Sequence, residues 1–450
     1  MKYYAVGGLS VFFILFLLGT VFSFNLSHWI SVDNTYDFKR IIFICYTLIS
    51  AVCLFFVRRV YFIKLSRQTL WLLTLFLLLA LYSAYQSRYP FWGLIEIANL
   101  LLLFSVFLIF ASSFIILEKE TVIRWLYFGV LTFTILTFAK YLLFLLFSYL
   151  DTKNFDIHGL ISGYVNVRFF NQLQAMVIPL LFLPCFFTNL TKFERISKVA
   201  IALHWVALLQ TEARGAMLSL IVGGGLIWLF ADAISRRRLF SIFWQSLIMG
   251  IIIWLVLIVA IPAWLVGGGN LQIRTSSSGR LDLWLYVLSN MSNQGWLGFG
   301  PMSFAWAEGK PLPNAHPHNS VMQLLYEYGV IVCVFVTLWI LRLVYNQLSS
   351  ITSAAQAAKI PYVYAMLSGL LYSQFSGVAV MPFAQLLLVF VIAQLVSFTR
   401  QQNYVLKVRG KLIFIAFVTL AAGVILHSYK HTDLQLTSFP RIWVNGLIGH

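Results

Sequence analysis

Four short polar stretches interrupt an otherwise apolar chain, and each carries side chains able to do chemistry. His316-Pro317-His318-Asn319 sets two imidazoles two residues apart. Ser320 followed by Gln323 has the form of a capping box, so a helix is expected to start there with His318 just ahead of it. The positive end of a helix favours neutral imidazole and attracts anions. A neutral histidine beside an anion site can serve as a general base. Two other readings stand beside acid/base or substrate-binding work. An His-x-His pair can bind a metal, although no third ligand of the right type is close in sequence. The histidines can also be structural caps or interface residues.

Arginines supply the second kind of chemistry. Thr211-Glu212-Ala213-Arg214-Gly215 places a carboxylate and a guanidinium two residues apart between apolar runs. It reads either as an internal Glu212–Arg214 pair that steadies a turn, or as an arginine facing a cavity where its planar fork can hold a phosphate. Gly279-Arg280 opens a segment in which Leu281, Trp284, Leu285 and Leu288 recur at helical spacing, with Ser276, Ser277 and Ser278 ahead of it as potential caps. Arg280 and Trp284 are four apart and therefore neighbours on that helix. Arg168-Phe169-Phe170-Asn171-Gln172 carries amides into the start of an apolar run, which suggests a polar cavity or a helix–helix hydrogen bond.

The elements that must position these groups follow from composition. Of 450 residues, 61% are hydrophobic and 10% charged, and the formal net charge is +17. Soluble domains carry about 25% charged residues. An ordinary cytosolic enzyme is excluded, and so is a nucleic-acid binder, which can be this basic but not this apolar. An all-α integral membrane protein with basic loops fits both numbers. Apolar runs at about 4–24, 40–57, 69–85, 91–117, 122–149, 169–188, 199–212, 216–232, 241–266, 320–343, 361–380, 383–399 and 412–428 give about twelve or thirteen crossings of some 20 residues each. The first run is read as a helix rather than a signal peptide, because it can span the bilayer and has no clear small-residue cleavage site. Cys45, Cys53, Cys185 and Cys333 lie in apolar runs without Cys-x-x-Cys spacing and read as small hydrophobes.

Basic clusters set the orientation. Arg58/Arg59/Lys64/Arg67, Lys192/Arg195/Lys198, Arg236/Arg237/Arg238 and Arg400/Lys407/Arg409/Lys411 follow runs two, six, eight and twelve, hence one side of the membrane. By the positive-inside rule that side is cytoplasmic. The opposite side then holds the long loop 267–319, which is rich in Trp and Phe and so unlike a disordered segment. Arg168, Arg214, Arg280 and His318 all fall on that outer side, where the rule gives no reason for arginine. Such a surface suits an anionic headgroup. Glu96 and Glu327 fall near outer span ends, Lys140 can snorkel outward, and His204 reads as a packed, hydrogen-bonded histidine.

At these residues the chain resembles the O-antigen ligase, or Wzy C-terminal, superfamily, which includes lipopolysaccharide O-antigen ligases, O-antigen polymerases and bacterial O-oligosaccharyltransferases. Thr211-Glu-Ala-Arg214-Gly215-Ala216, Gly279-Arg280-Leu-Asp-Leu-Trp284, Gly298-Phe-Gly300-Pro301 and His316-Pro-His318-Asn319 with Leu324, Glu327 and Gly329 carry the likeness. Their order and spacing make the joint signal specific over about 165–330, within a chain read as a single membrane domain over 1–450. The resemblance implies a GT-C-like fold of about 12–13 transmembrane helices with short helices in a long periplasmic loop. It implies inverting glycan transfer without metal or other cofactor. The donor would be a glycan on undecaprenyl diphosphate, and the acceptor lipid A-core or a pilin or other protein. The enzyme would lie in the bacterial inner membrane with its active site facing the periplasm. Arg214 and Arg280 would hold the diphosphate, and His318 would deprotonate or position the acceptor hydroxyl. Arg168, Asn171 and Gln172 match the polar start of the equivalent span. Glu212, Trp284, His316 and Asn319 complete the expected substrate-binding set. A transporter or flippase for polysaccharide precursors is the non-enzyme alternative. It would place charges and helix breaks near mid-membrane, within internal repeats.

Overall fold

The computed structural model describes residues 1–22, 34–153, 157, 164, 166–265, 279–399, 403–429 and 441–443. A helix lies at each of the thirteen expected places: α1 Lys2–Thr20, α2 Thr35–Phe56, α3 Arg67–Gln86, α4 Pro90–Ile116, α5 Lys119–Leu150, α6 Val167–Leu180, α7 Glu194–Gln210, α8 Arg214–Phe230, α9 Ala233–Trp254 with its continuation to Leu265, then, after a loop helix α10 Arg280–Gln294, α11 Ser320–Ser350, α12 Ile360–Tyr372, α13 Pro382–Ser397 and α14 Val408–His427. Among the described residues nine helices are long and apolar enough to cross a membrane unaided, and α8 and α13 are shorter apolar ones. The chain is an all-α, polytopic membrane protein.

Local chemistry explains where these helices begin. Asn34, Ser66, Asn166 and Asp232 cap α2, α3, α6 and α9 by accepting from backbone N–H groups of the first turn, which satisfies donors that no intrahelical partner reaches. Pro90, Pro361 and Pro382 occupy first-turn positions where a missing N–H costs nothing. Pro262 acts differently. It lies just past a π-helical stretch, Leu255–Ala260, where its missing N–H leaves the carbonyl five residues back unclaimed. That carbonyl, of Leu257, accepts from the Tyr149 hydroxyl instead. The packed interior is aromatic. Phe390 stacks on Phe12 and meets Phe110 and Phe114 edge-on at 5.0 and 4.9 Å between centroids.

Contacts between loops sort them into two ends. At one end β1 (Tyr61–Ile63) pairs antiparallel with β2 (Asn403–Val405), joining the loops after α2 and α13. There too Lys2 meets Glu118 at 3.6 Å and Arg238 meets Glu194 at 3.3 Å. These are the loops that carry the four basic clusters, so the parity read from charge agrees with the contacts. At the other end Arg88 pairs with Glu308. The Ser83 hydroxyl donates to the Leu297 carbonyl at 2.7 Å, and Ser320 N–H to the Ser373 carbonyl at 3.0 Å.

Two expectations change. The run 361–380 is not one span: α12 stops at Tyr372, and 373–381 form a polar turn before α13. Ser320 with Gln323 is not a capping box. Asn319 is the cap, its Oδ1 accepting from Val321 and Met322 N–H at 2.9 and 3.0 Å, while Gln323 reaches toward Glu327. Ser320 is then the first helical residue.

Helix α11 is broken at Gly329, whose φ of 77° and ψ of 178° are open only to glycine. The loop after α10 threads the break: Phe299 and Gly300 N–H donate to the Tyr326 and Glu327 carbonyls at 2.9 Å, and Val330 N–H to Gly295 at 2.8 Å. A Cβ on Gly329 would strike the Trp296 carbonyl and lie 2.5 Å from Leu297 N. Gly329→Ala is therefore expected to destabilise the protein by about 3 kcal/mol, from backbone strain and overpacking together. The check is a lowered thermal midpoint in detergent, with Gly225→Ala, where nothing lies within 4 Å, as the neutral control.

Candidate functional site

Four helix starts converge at the second end. Arg168 is the second residue of α6, Arg214 the first of α8 and Arg280 the first of α10, while His318 stands two residues ahead of α11. Each start presents the positive end of a helix dipole, so the place is electropositive before any side chain is counted.

The arginines add to that field. The Arg280 guanidinium is pushed below its usual range by burial first, then by the positive charges of Arg168 and Arg214. The His318 imidazole is pushed down to about 3, by burial first and then by Arg280 and Arg168. His316 is also driven well down, by burial, His318, Arg441 and Arg280. Both rings are therefore neutral near pH 7. Arg280 Nε and His318 Nδ1 are shut from solvent with no partner among the described residues. Such groups cost stability unless something fills their hydrogen-bonding needs.

The histidine loop is held in a strained form. His318 has φ of 56°, in the left-handed region that side chains other than Gly, Asn and Asp rarely enter. Its N–H donates to His316 Nδ1 at 3.2 Å, which leaves the His316 proton on Nε2, and the two rings meet edge-to-face at 4.3 Å. The Trp284 indole donates to the Pro317 carbonyl at 3.0 Å. Asn319 spends its Oδ1 on the α11 cap. Lys310 Nζ gathers the carbonyls of Phe304, Ala305 and Asn314 at 2.7–2.9 Å, fixing the approach to the loop.

The amides bind neighbouring elements to the site. Asn171 Oδ1 accepts from Thr211 at 3.3 Å, tying α6 to the turn that ends at Arg214. Gln172 Nε2 donates to Ser376 at 2.9 Å. Asn171 Nδ2 and Gln172 Oε1 are buried without a partner among the described residues. Glu212 lies in that turn with φ of 49°, exposed like Arg214. His204 is a packed residue, bonded to Thr134 and Gln174 at 3.0 Å. Among the described residues no three His, Cys, Asp or Glu side chains gather as a metal site would require.

Helix α10 begins at Arg280 as the spacing predicts, but its cap is Gly279, with φ of 69° and no side-chain acceptor; Ser276, Ser277 and Ser278 lie outside the described residues. Leu283 and Val287 turn inward against Phe304 and Tyr326. The expected stripe of Leu281, Leu285 and Leu288 faces outward and is exposed, with Trp284 at its edge, as suits a helix lying along a membrane surface.

Two groups at the site escape a reading by motif. One is the polar turn after α12. Tyr372 lies within electrostatic reach of Arg280 and Arg168, Ser373 receives Ser320, and a Cβ on Gly377 would come within 2.8 Å of the His316 ring. Polar residues between two apolar runs were the available signal. The other is Arg441, which no local pattern marks.

An all-helical membrane protein with a neutral histidine pair and three arginines at one end is a class suited to anionic lipid headgroups. Residues 199–337 match the family model described as O-Antigen ligase, a stretch that includes Arg214, Arg280, His316 and His318. Members of that family are glycosyltransferase-like enzymes with lipid-linked glycan substrates. No curated protein and no solved structure matches the chain.

The histidine shifts carry a pH prediction. An unfolded-chain histidine titrates near 6.5, and folded His318 near 3. Between those values the unfolded chain holds a proton that the folded one does not, so stability falls as pH drops through the window and is level above it. The thermal midpoint is expected to decline from pH 6.5 toward 4, and less steeply in His318→Gln. The specificity constant kcat/KM is expected to show no inflection near 6.5, because free enzyme has no histidine at the site left to deprotonate there.

Proposed function

We propose that this protein transfers a glycan en bloc from undecaprenyl diphosphate to an acceptor at the periplasmic face of the bacterial inner membrane. The carrying observation is the convergence of Arg280 and Arg168 on His318, with Arg214 acting on Arg280, at four helix starts and away from the basic end. Lipid A-core is the acceptor favoured, which makes the protein an O-antigen ligase. A pilin or other protein comes second, and a growing glycan chain third.

The chemistry follows from the groups. Arg214 and Arg280, with Arg168 beside them, hold the diphosphate by charge-assisted hydrogen bonds. His318, neutral, takes the proton of the acceptor hydroxyl. The acceptor oxygen forms its bond to the anomeric carbon as the bond from that carbon to the diphosphate oxygen breaks on the opposite face. The electron pair leaves with the diphosphate, and the arginines meet the charge that develops there. A diphosphate bound at the arginines offsets the positive charge that joins burial in lowering His318 in the free protein. It so raises the basicity of His318 when donor is present, which supports the base role; the like-charge crowding of the arginines supports the anion role.

The test is transfer by the purified protein in lipid nanodiscs, given undecaprenyl-diphosphate-linked glycan and, separately, lipid A-core, pilin and a second glycan. Glycan appearing on lipid A-core is the expected result. Transfer to none of the three would overturn the reading.

A further inference from the structure

Among the described residues, the C-terminal tail returns to the site through residues 441–443. Arg441, Ile442 and Trp443 are fully buried, although Arg441 lies 114 residues from its main partner. The Arg441 guanidinium grips both oxygens of Glu327 on α11, at 2.7 Å for Nη2. It reaches Glu96 on α4 at 3.5 Å, and Nη1 donates to the Ala315 carbonyl at 3.4 Å. The Arg441 carbonyl accepts from the Tyr36 hydroxyl at 2.6 Å and Arg40 Nη2 at 3.0 Å, both on α2. Trp443 anchors the next step by donating to Ser428 at 2.9 Å. Ala315 precedes His316, and Glu327 lies two residues before the break at Gly329.

We infer that Arg441 is a positioning residue: it latches the tail into the Glu96–Glu327 carboxylate pair and through Ala315 and α11 sets where the His316–His318 loop stands. Two buried carboxylates need a cation, and guanidinium alone among side chains can serve one bidentately while bonding a carbonyl with the same fork. The strained φ of His318 needs surroundings that over-determine it. Trp284, Lys310 and the Asn319 cap hold the loop from the α10 and α11 sides, and Arg441 holds it from α2 and α4. The charge of Arg441 also falls on His316, where it helps keep that ring neutral. The consequence for catalysis rests on the transferase reading, whereas the latch itself does not.

The experiment uses the full chain in nanodiscs and two readouts. One is the rate at which diethyl pyrocarbonate modifies His316 and His318, mapped by mass spectrometry. The other is kcat and donor KM for glycan transfer. Arg441→Ala is expected to speed modification about tenfold, because the loop opens locally. It should lower kcat about thirtyfold or more while donor KM stays within about threefold, because misplacement of about an ångström is enough. Arg441→Lys, which keeps the charge and loses the fork, should fall between. The triple variant E96Q/E327Q/R441M removes the charges together and is expected to fold, yet to keep the fast modification and low kcat. Wild-type rates of both kinds in the triple variant, or in Arg441→Ala, would overturn the latch. Absence of transfer by the unaltered protein would instead remove the function reading, and the modification rates would still decide the latch.

Discussion

His318→Ala is expected to cut glycan transfer by about 10²–10⁴-fold, the span that a positioned general base contributes. The argument is geometric before it is electrostatic. The residue is held at φ of 56°, a conformation that alanine adopts no more easily, so the substitution relieves no backbone strain and removes only the ring. Loss of activity with an unchanged thermal midpoint would therefore report chemistry rather than folding. His318→Gln keeps a polar group of similar reach without basicity at neutral pH, and it should be nearly as inactive. Near-normal transfer in either variant would take the base away from His318. His316→Ala is a different experiment, because His316 Nδ1 accepts the His318 N–H and its loss disturbs the loop.

Arg280→Ala is expected to cost about 10²–10³-fold in kcat, comparable to deleting one preorganised donor from a site where charge develops. The same change should leave the protein as stable as before, or more so. Arg280 is crowded by Arg168 and Arg214 and has a buried Nε without a partner among the described residues, so its removal relieves repulsion and desolvation together. Opposite signs on activity and stability mark a residue kept for function. Arg280→Lys should recover only part of the rate, since a point charge cannot offer two parallel donors to a diphosphate. A variant that loses activity and melts early would contradict this account.

Much of the bundle was legible because hydropathy measures what a membrane demands. Runs of apolar residues marked each helix, whereas starts such as Ala233, capped by Asp232 and eight residues ahead of the apolar run at 241, were not marked by hydropathy. Hydropathy cannot say what lies against a helix. The Arg67–Gln86 and Val167–Phe186 spans share a mean hydropathy of 1.5, yet 17% of one and 89% of the other is buried inside the protein. Lipid and protein interior are equally apolar, so the central place of α6 was invisible, and with it the reason Arg168, Asn171 and Gln172 come to the site. The inward side of α10 was not legible for a related cause: Leu283 and Val287, which are buried, are spaced like the exposed Leu281, Leu285 and Leu288. The cap at Asn319 was hidden because Ser320 fits a commoner pattern one residue later. Arg441 was unreadable for a simpler reason, since nothing near it in sequence is its partner.

The convergence of helix starts and arginines has a consequence after the glycan has left. On the proposed reaction the lipid diphosphate that remains has exchanged a glycosyl ester for a free, ionisable phosphate oxygen. It carries more negative charge than the donor did, and the same positive field holds it more tightly. A site built to strip a glycan from diphosphate is thereby inhibited by its own spent carrier. Escape of that carrier into the bilayer, rather than bond-making, would pace the steady state. The first turnover would run ahead as a burst, and a phosphatase that consumes the released lipid would speed the cycle without touching the protein.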